Sequence, residues 1–448
     1  MALERIGVVG GGIGGLGAAW LLDGRYEVTL LERNDYVGGH THTLDVEGAL
    51  GRSPVDTGFM VFNRRNYPLL CALFAHLGVE SYPTEMSFAA SLDGGRVEYA
   101  GTNLNTLFGQ RSHLLDWRFM RLLLEIPRFN KAAKSFLDNP EGDPSLGEFL
   151  RLGGYSERFA TQYLLPMAAA IWSCPTQDMR AFPFRSFARF FANHGLLDLA
   201  DRPQWETVRG GSRAYVERLL SQFRGQYRTN ARVTSVRRSD RGVEVDLADG
   251  ERLTFDALVM GCHADETLAL IESPSDTERE LLGSFPYRSN RVYLHSDTTL
   301  MPKRRRVWAS WNYLQQPGED PTRPVTVTYW MNSLQDLPAE PNVFVSLNPQ
   351  EPPRPETILA ELDYDHPMFD ARALAAQRRM GEIQGRDRLW FSGAWMGYGF
   401  HEDGLRSAVE VARGLGVDPP WATSAAETRA PRPESARAPT VLAGVAGS

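Results

Sequence analysis

The stretch Ile6–Leu22, IGVVGGGIGGLGAAWLL, sets seven glycines among apolar residues, and their spacing admits few kinds of fold. Ile6–Val9 reads as a short apolar strand, Gly10, Gly12 and Gly15 fill the GxGxxG positions, and Leu16–Leu22 continues as a helix. Glycine at those places permits a tight turn, close approach of a pyrophosphate and close helix–sheet packing, while free N–H groups at the helix start face the phosphates. Tyr26–Leu31 gives a second strand that ends at Glu32, about 20 residues past the glycines, where a carboxylate accepts from ribose hydroxyls and disfavours a 2′-phosphate. Two bland alternatives are a Gly-rich helix-packing turn and a signal peptide. Strand, turn, helix, strand and terminal acid in register argue against the first, and seven glycines with Glu4 ahead of them make a poor signal core.

A second segment answers the turn from the far end of the chain: Leu389–Ala412, LWFSGAWMGYGFHEDGLRSAVEVA. A dinucleotide fold that draws both ends of a chain to one ligand is the layout of a flavoprotein, so FAD is the expected cofactor. Gly10, Gly12, Ile13, Gly14, Gly15, Glu32 and Arg33 are its expected contacts at the N-terminal end. The expected fold class is α/β, a Rossmann-like FAD-binding domain of the GxGxxG type with an interleaved α+β substrate domain.

Composition bounds the rest. With 448 residues, 42% hydrophobic and 23% charged, the chain reads as two globular domains with a large core. A net charge of −7 argues against wholesale nucleic-acid binding. Cys71, Cys174 and Cys262 lack CxxC or metal spacing, which fits a reducing, cytoplasmic compartment. No apolar run reaches the roughly 18 residues of a spanning helix. Residues 422–448 are Ala-, Pro-, Ser-, Thr- and Arg-rich and are expected to be a disordered tail. Histidines 40, 42, 263, 295 and 401 show no metal-ligand spacing with carboxylates, so no metal is expected.

Past Glu32 the chain reads ERNDYVGGHTHT, and its Gly38-Gly39 pair resembles the second flavin motif of the amine oxidase and phytoene desaturase superfamily. Val55–Gly78, Arg209-Gly210-Gly211-Ser212 with the helix Arg213–Phe223, and the strand Asp256–Gly261 resemble further blocks of it. The resemblance implies FAD contacts at Gly39, His40, Thr41, at Gly58, Phe59, Met60 and Val61 beside the ring, and at Val233 by the adenine. In the C-terminal block it implies Gly393, Phe400, Glu402, Asp403 and Leu405, with the following helix aiming its positive end at the flavin. The blocks HTHT, DTGFMVFNRRNYP, SWNY and GYGFHEDG are similar to a narrower bacterial group of FAD-binding oxidoreductases encoded beside cyclopropane-fatty-acid-synthase-type methyltransferases. That group includes the desaturase of methylated fatty acyl chains in furan fatty acid synthesis, which implies a lipid acyl substrate and functional pairing with a lipid methyltransferase. Three departures stand out. Ser289–His295 has no lysine where amine oxidases commonly carry one, Phe400 stands where a tyrosine is usual, and Ala408 replaces a frequent glycine. No cysteine lies in the C-terminal block or near Gly39, so the FAD is expected to be noncovalent.

The blocks assign residues 1–85, 205–285 and 385–418 to the FAD-binding domain, and 86–204 and 286–384 to the substrate domain. Within the latter, Leu114–Leu124 and Phe182–Phe191 are dense enough in large apolar side chains to line an acyl tunnel, or simply to fill a helical core. Arg118, Arg121 and Arg128 share a quarter of a helix, and Lys303–Arg306 is a basic run; these suit either a solvated face or an anionic membrane surface, making the protein peripheral on the inner membrane face. Pro127 is expected to interrupt that helix. Tyr398, His401 and Glu402 are the candidates for proton handling, with Glu402 alternatively a helix N-terminal acid. The function expected from these readings is FAD-dependent desaturation of (methylated) fatty acyl chains. An amine oxidase, a carotenoid-type desaturase or isomerase, and a non-catalytic flavin-binding partner of a methyltransferase stand as alternatives.

Overall fold

The computed structural model describes residues 3–48, 51–138, 142–198, 202–320, 322–338 and 340–421; the expected disordered tail, 422–448, lies outside the described residues. Strand Arg5–Val9 is central in a five-stranded parallel sheet ordered Gln226–Arg228, Glu27–Leu31, Arg5–Val9, Ala257–Met260, Leu389–Phe391. Its inner strands are almost wholly buried, as a parallel sheet covered on both faces requires. The first helix starts at Ile13, three residues before the expected Leu16. Gly10 has φ +98°, and a Cβ on Gly15 would lie 1.9 Å from the Gly10 carbonyl oxygen, so the chain turns from strand directly into helix. Glycine is a weak helix former, which is why propensity places the start late and packing places it early.

The C-terminal helix His401–Gly414 crosses this first helix at very close range. A Cβ on Gly17 would meet Leu405 and Ala408 at 3.2 and 3.3 Å, and one on Gly404 would meet Ile13 at 2.7 Å. Ala408 itself is fully buried and seats its methyl against Gly17, so the alanine is accommodated.

Residues 88–100 and 287–367 build a seven-stranded sheet in the order Ile358–Pro367, Tyr287–His295, Phe344–Leu347, Thr326–Trp330, Trp311–Leu314, Phe88–Leu92, Val97–Ala100. All its pairings are antiparallel except that of Trp311–Leu314 with Phe88–Leu92. Helices between 104 and 193 share one apolar core with this sheet, joining Phe119, Phe129, Phe159, Phe184 and Phe187 to Tyr99, Trp311 and Tyr313. Helix Trp117–Asp138 continues through Pro127, correcting the expected break. The missing N–H costs one bond, and the buried stripe Phe119, Leu122, Phe129 and Ala133 holds both halves in place.

The boundary at 384 also shifts. Helix Ala371–Arg379 packs with Asp276–Leu282, and Ala373, Ala376, Met380 and Ile383 lie in the same core as Val9, Leu258 and Phe391, so the first domain resumes near residue 370. A single buried acid fastens the blocks to one another. Asp56 accepts from Thr43 Oγ1 (2.6 Å), Ser212 N (2.8 Å), Ser212 Oγ (2.7 Å) and Gln335 Nε2 (2.9 Å).

Gly17→Leu should wedge the two crossing helices apart. Overpacking at such a contact costs about 1–3 kcal/mol, so circular-dichroism melting should show a lower Tm with cooperative unfolding retained. A Tm equal to wild type would mean that the helices do not rely on this contact.

Candidate active site

A cavity of about 900 Å³ runs between the parallel sheet and the seven-stranded sheet. Of the expected cofactor residues, Gly10, Gly12, Ile13, Gly14, Glu32, Arg33, Gly39, His40, Gly58, Phe59, Met60, Val61, Val233, Gly393 and Phe400 line it, as do the catalytic candidates Tyr398 and His401. Five expected residues do not, and each has a different task. Gly15 fills the turn against Gly10. Thr41 bridges Tyr215 Oη (2.5 Å) and His401 Nε2 (2.9 Å). Leu405 packs over Gly17. Asp403 accepts from the backbone N–H groups of Tyr398 (3.0 Å) and Phe400 (3.1 Å), bracing the loop that forms the cavity wall.

Glu402 is the clearest correction. Its two carboxylate oxygens accept from Leu69 N and Leu70 N, both at 3.0 Å, so it turns from the cavity and caps helix Pro68–Leu77. The acid satisfies orphan donors of that helix's first turn.

The nucleotide end is shaped for a dinucleotide. Glu32 accepts from Gly11 N at 2.6 Å and from Asn34 N at 2.9 Å, fixing the glycine turn as well as facing the cavity. A Cβ on Gly12 would meet nothing within 4 Å, leaving open room where the first N–H groups of helix Ile13–Leu22 point. His40 leaves a buried Nε2 without a protein partner beside that space. These donors and this room fit the phosphates of FAD.

Sequence reasoning missed several lining residues. Asp365 and His366 come from the end of strand Ile358–Pro367, and His40, His263 and His366 gather with ring centroids 5.4–6.4 Å apart. Burial and the neighbouring imidazoles hold His40 well below the ordinary histidine range and His366 at about 4. Tyr99, Tyr163, Met167, Ile171, Trp172, Trp311 and Tyr329 line the other end. Only Trp311 had a signal, within the SWNY block. Phe190 of the phenylalanine-rich segment also lines the cavity, whereas the fully buried Phe184, Phe187 and Phe191 are core. Leu114–Leu124 contributes nothing to the cavity wall, correcting its tunnel reading.

His401 stacks on Phe59 with centroids 3.8 Å apart, and burial pushes its imidazole down to about 3, so it is neutral at pH 7. Burial likewise raises the Tyr398 phenol. Both therefore present uncharged polar groups.

Residues 13–360 match the family model for flavin containing amine oxidoreductases. The chain belongs to that family. Among the family's proteins, Mycobacterium tuberculosis AofH, named as a candidate flavin-containing monoamine oxidase, is 28% identical over 255 residues, which is 54% of each chain. Polyamine oxidase 4 of Oryza sativa subsp. japonica is 26% identical over 308 residues, 66% of this chain and 59% of its own. The chain thus spans a little over half the length of these curated relatives. The CLA-producing fatty acid isomerase from P. acnes superposes with a TM-score of 0.65 at 17% identity, covering 92% of this chain and 98% of its own. At that identity the superposition shows the fold alone. The family's cofactor, FAD, is the cofactor of this amine oxidoreductase-family chain.

Two outcomes test the site. Glu32→Ala removes a buried acceptor from the phosphate turn, worth about 1.5–3 kcal/mol, so fluorescence titration should show FAD affinity weakened by about tenfold or more. An unchanged Kd would remove Glu32 from cofactor binding. Glu402 bears on pH. Burial raises its carboxyl from 4.5 to about 7, so the folded chain binds this proton more tightly than the unfolded chain does. Its contribution to stability is full below about pH 4.5 and drains, by roughly 3 kcal/mol at 1.36 kcal/mol per pH unit, as pH rises through 7. Glu402→Gln should therefore flatten the dependence of Tm on pH between 5 and 8. A slope as steep as wild type would show that another group titrates.

Proposed function

We propose that this protein oxidises a carbon–carbon bond in the acyl chain of a lipid, as a desaturase of fatty acyl, including methylated acyl, chains. The observation that carries this reading is the character of the cavity wall. Of its lining residues between 85 and 205 and between 311 and 347, only Glu85 and Arg202 carry charge, and both are solvent-exposed. Met86, Phe88, Tyr99, Met167, Ile171, Trp172, Phe190, Trp311 and Tyr329 make up half of the remainder. Such a wall favours methylene groups at about 0.8 kcal/mol each, and Glu85, at its exposed edge, is the one acid on it. His194, the one histidine on this wall, is pushed by burial towards its neutral form.

When bound, FAD would supply the two-electron acceptor for a hydride from one carbon, and the proton lost from the adjacent carbon would pass to a basic group of the cavity lining, of which the Asp365 carboxylate is one. The chain's own residues hold a C–H bond of the substrate in place and keep water out. Phe59, Met60, Phe190, Tyr398 and Phe400 are placed to do so; Phe190 packs on Phe400 with centroids 5.3 Å apart and on Tyr398 at 5.6 Å. His401, neutral and held by Thr41, anchors Phe59 rather than serving as a strong base, since a group that titrates near 3 has little affinity for a proton at pH 7. Strand Tyr287–His295, which in the resembling amine oxidases would carry a lysine, has none, and its buried Asn290 is bonded to Arg288 O, Tyr364 O and Asn348. The fatty acid isomerase named above acts on an acyl chain, which adds support; the polyamine oxidase supports the amine alternative.

Anaerobic stopped-flow mixing decides between them. Detergent-dispersed phospholipid bearing methyl-branched acyl chains should bleach the bound flavin, and putrescine or benzylamine should not. His401→Ala should slow bleaching by about tenfold or more through misplacement of Phe59, while Glu402→Gln with full FAD should stay within about threefold of wild type. Bleaching by amines and not by lipid would overturn the reading.

A further inference from the structure

Nine large apolar side chains are exposed among the described residues, and six of them lie between Leu104 and Leu124. Leu115 is 92% exposed, Leu104 75%, Leu124 73% and Trp117 67%, with Leu114 and Met120 beside them. Trp117, Met120 and Leu124 recur at i, i+3 and i+7 on one outward stripe of helix Trp117–Asp138, while Phe119, Leu122 and Phe129 form its buried stripe. A helix that packs one side in a core and is apolar on the other has a second surface to cover.

Charge narrows what covers it. Arg111, Arg118, Arg121 and Arg128 are all exposed around the stripe. The acids among them are engaged: Asp116 is held by Arg158 at 2.8 Å, and Glu125 turns inward to Ser156 N at 3.0 Å, with Arg121 at 3.6 Å. His113 is buried and pushed below the ordinary histidine range by desolvation, so it adds no charge. Arg306 adds a further exposed cation, its Cγ 3.4 Å from where a Cβ on Gly109 would lie. Of the rest of its basic run, Arg304 is paired with Glu98 at 2.7 Å and Arg305 lies over Trp308 at 3.7 Å. The result is an apolar ridge with a basic rim. Among the described residues no helix is long and apolar enough to cross a membrane, so any lipid contact made by this ridge is with a surface.

Position supplies the last step. Gly101 and Thr102, both exposed, line the cavity, and Leu104 follows two residues later. The Leu104 end of the ridge therefore stands two residues from the exposed rim of the cavity.

We propose that the face built by residues 104–124 seats on an anionic lipid bilayer and that an acyl chain passes from the bilayer into the cavity beside Thr102. The delivery of an acyl chain rests on the lipid-oxidation reading; the docking does not. The interfacial aromatic and leucines enter the headgroup boundary while the arginines meet anionic lipid, the arrangement of a helix lying in a membrane surface.

Flotation of the FAD-loaded protein on a sucrose gradient tests it. With phosphatidylcholine vesicles containing one-third phosphatidylglycerol, the protein should rise with the lipid. Recovery should fall when phosphatidylglycerol is left out and when salt is raised. The double variant Trp117→Glu with Leu124→Glu should lower partition by about tenfold or more, since each buried large apolar side chain is worth at least that factor. Leu359→Glu, an exposed leucine outside the ridge, should float as wild type does. Flavin content and Tm equal to wild type establish that the variants are folded. Wild-type recovery in the lipid-free fraction, or flotation of the double variant equal to wild type, would overturn the proposal. So would a dimer that the double variant breaks while nothing floats, which would give the face to a second copy of the chain. Bleaching by detergent-dispersed lipid is read separately, so loss of docking leaves the proposed chemistry standing and loss of the chemistry leaves the docking standing.

Discussion

Everything in this molecule hangs on how closely helices Ile13–Leu22 and His401–Gly414 approach one another. Gly14, Gly17 and Gly404 leave no room for side chains where the helices cross, and Gly14 sits against Ser392 and Gly393. Two helix N-termini consequently open on the same cavity, one at Gly12 and one at Phe400. That geometry explains why residues from opposite ends of the chain share a ligand. It also explains why everything between them is free to be insertion: the second domain enters and leaves the sheet without disturbing the crossing.

Buried carboxylates then hold the loops around the cavity. Glu32 grips Gly11 N, Asp56 grips Ser212 N, Asp403 grips Tyr398 N and Phe400 N, and Glu402 grips Leu69 N and Leu70 N. In each case carboxyl oxygens satisfy backbone donors that a turn or helix start leaves without partners. Acids near a cofactor invite a catalytic reading, yet three of these four point into the scaffold. Rigid loops are what such acids supply, and rigid loops are what a reaction needs when its catalysis is mostly orientation.

Much of this was legible because it obeys short-range rules. The strand–turn–helix of residues 5–22 and the acid at 32 follow from local chemistry that leaves few alternatives, and the paired glycines at 210 and 211, with φ +80° and +84°, were legible through the family resemblance. Where the sequence misled, a longer-range fact prevailed. Glycines 14, 15 and 17 hid the start of the first helix, because only contacts outside that helix account for them: Ser392 and Gly393 at Gly14, the Gly10 turn and Gly261 at Gly15, and the crossing helix at Gly17. Pro127 was overridden by a packed stripe. Glu402 is first-turn acid to one helix and cap to another, and nothing local points it at Leu69, 333 residues away. Asp365 and His366 reach the cavity only through the register of strand Ile358–Pro367 with Tyr287–His295. Leu114–Leu124 reads as interior because hydrophobic composition does not say which side of a helix is covered.

The two ends of the cavity differ in a way that bears on chemistry. Glycines, histidines and Glu32 surround the nucleotide end, where fixed N–H groups and an orphan imidazole nitrogen await an anionic ligand. Aromatic and thioether side chains surround the other, where the buried nitrogens of Trp172 and Trp311 have no protein acceptor. An indole N–H left without a partner costs free energy that a carbonyl oxygen relieves. An ammonium group offers only more donors. On the lipid-oxidation proposal this wall would take an ester-bearing hydrocarbon, in a family whose named members include amine oxidases. The same scaffold of crossing helices and loop-bracing acids serves either substrate, because the choice is made by side chains that the scaffold does not need.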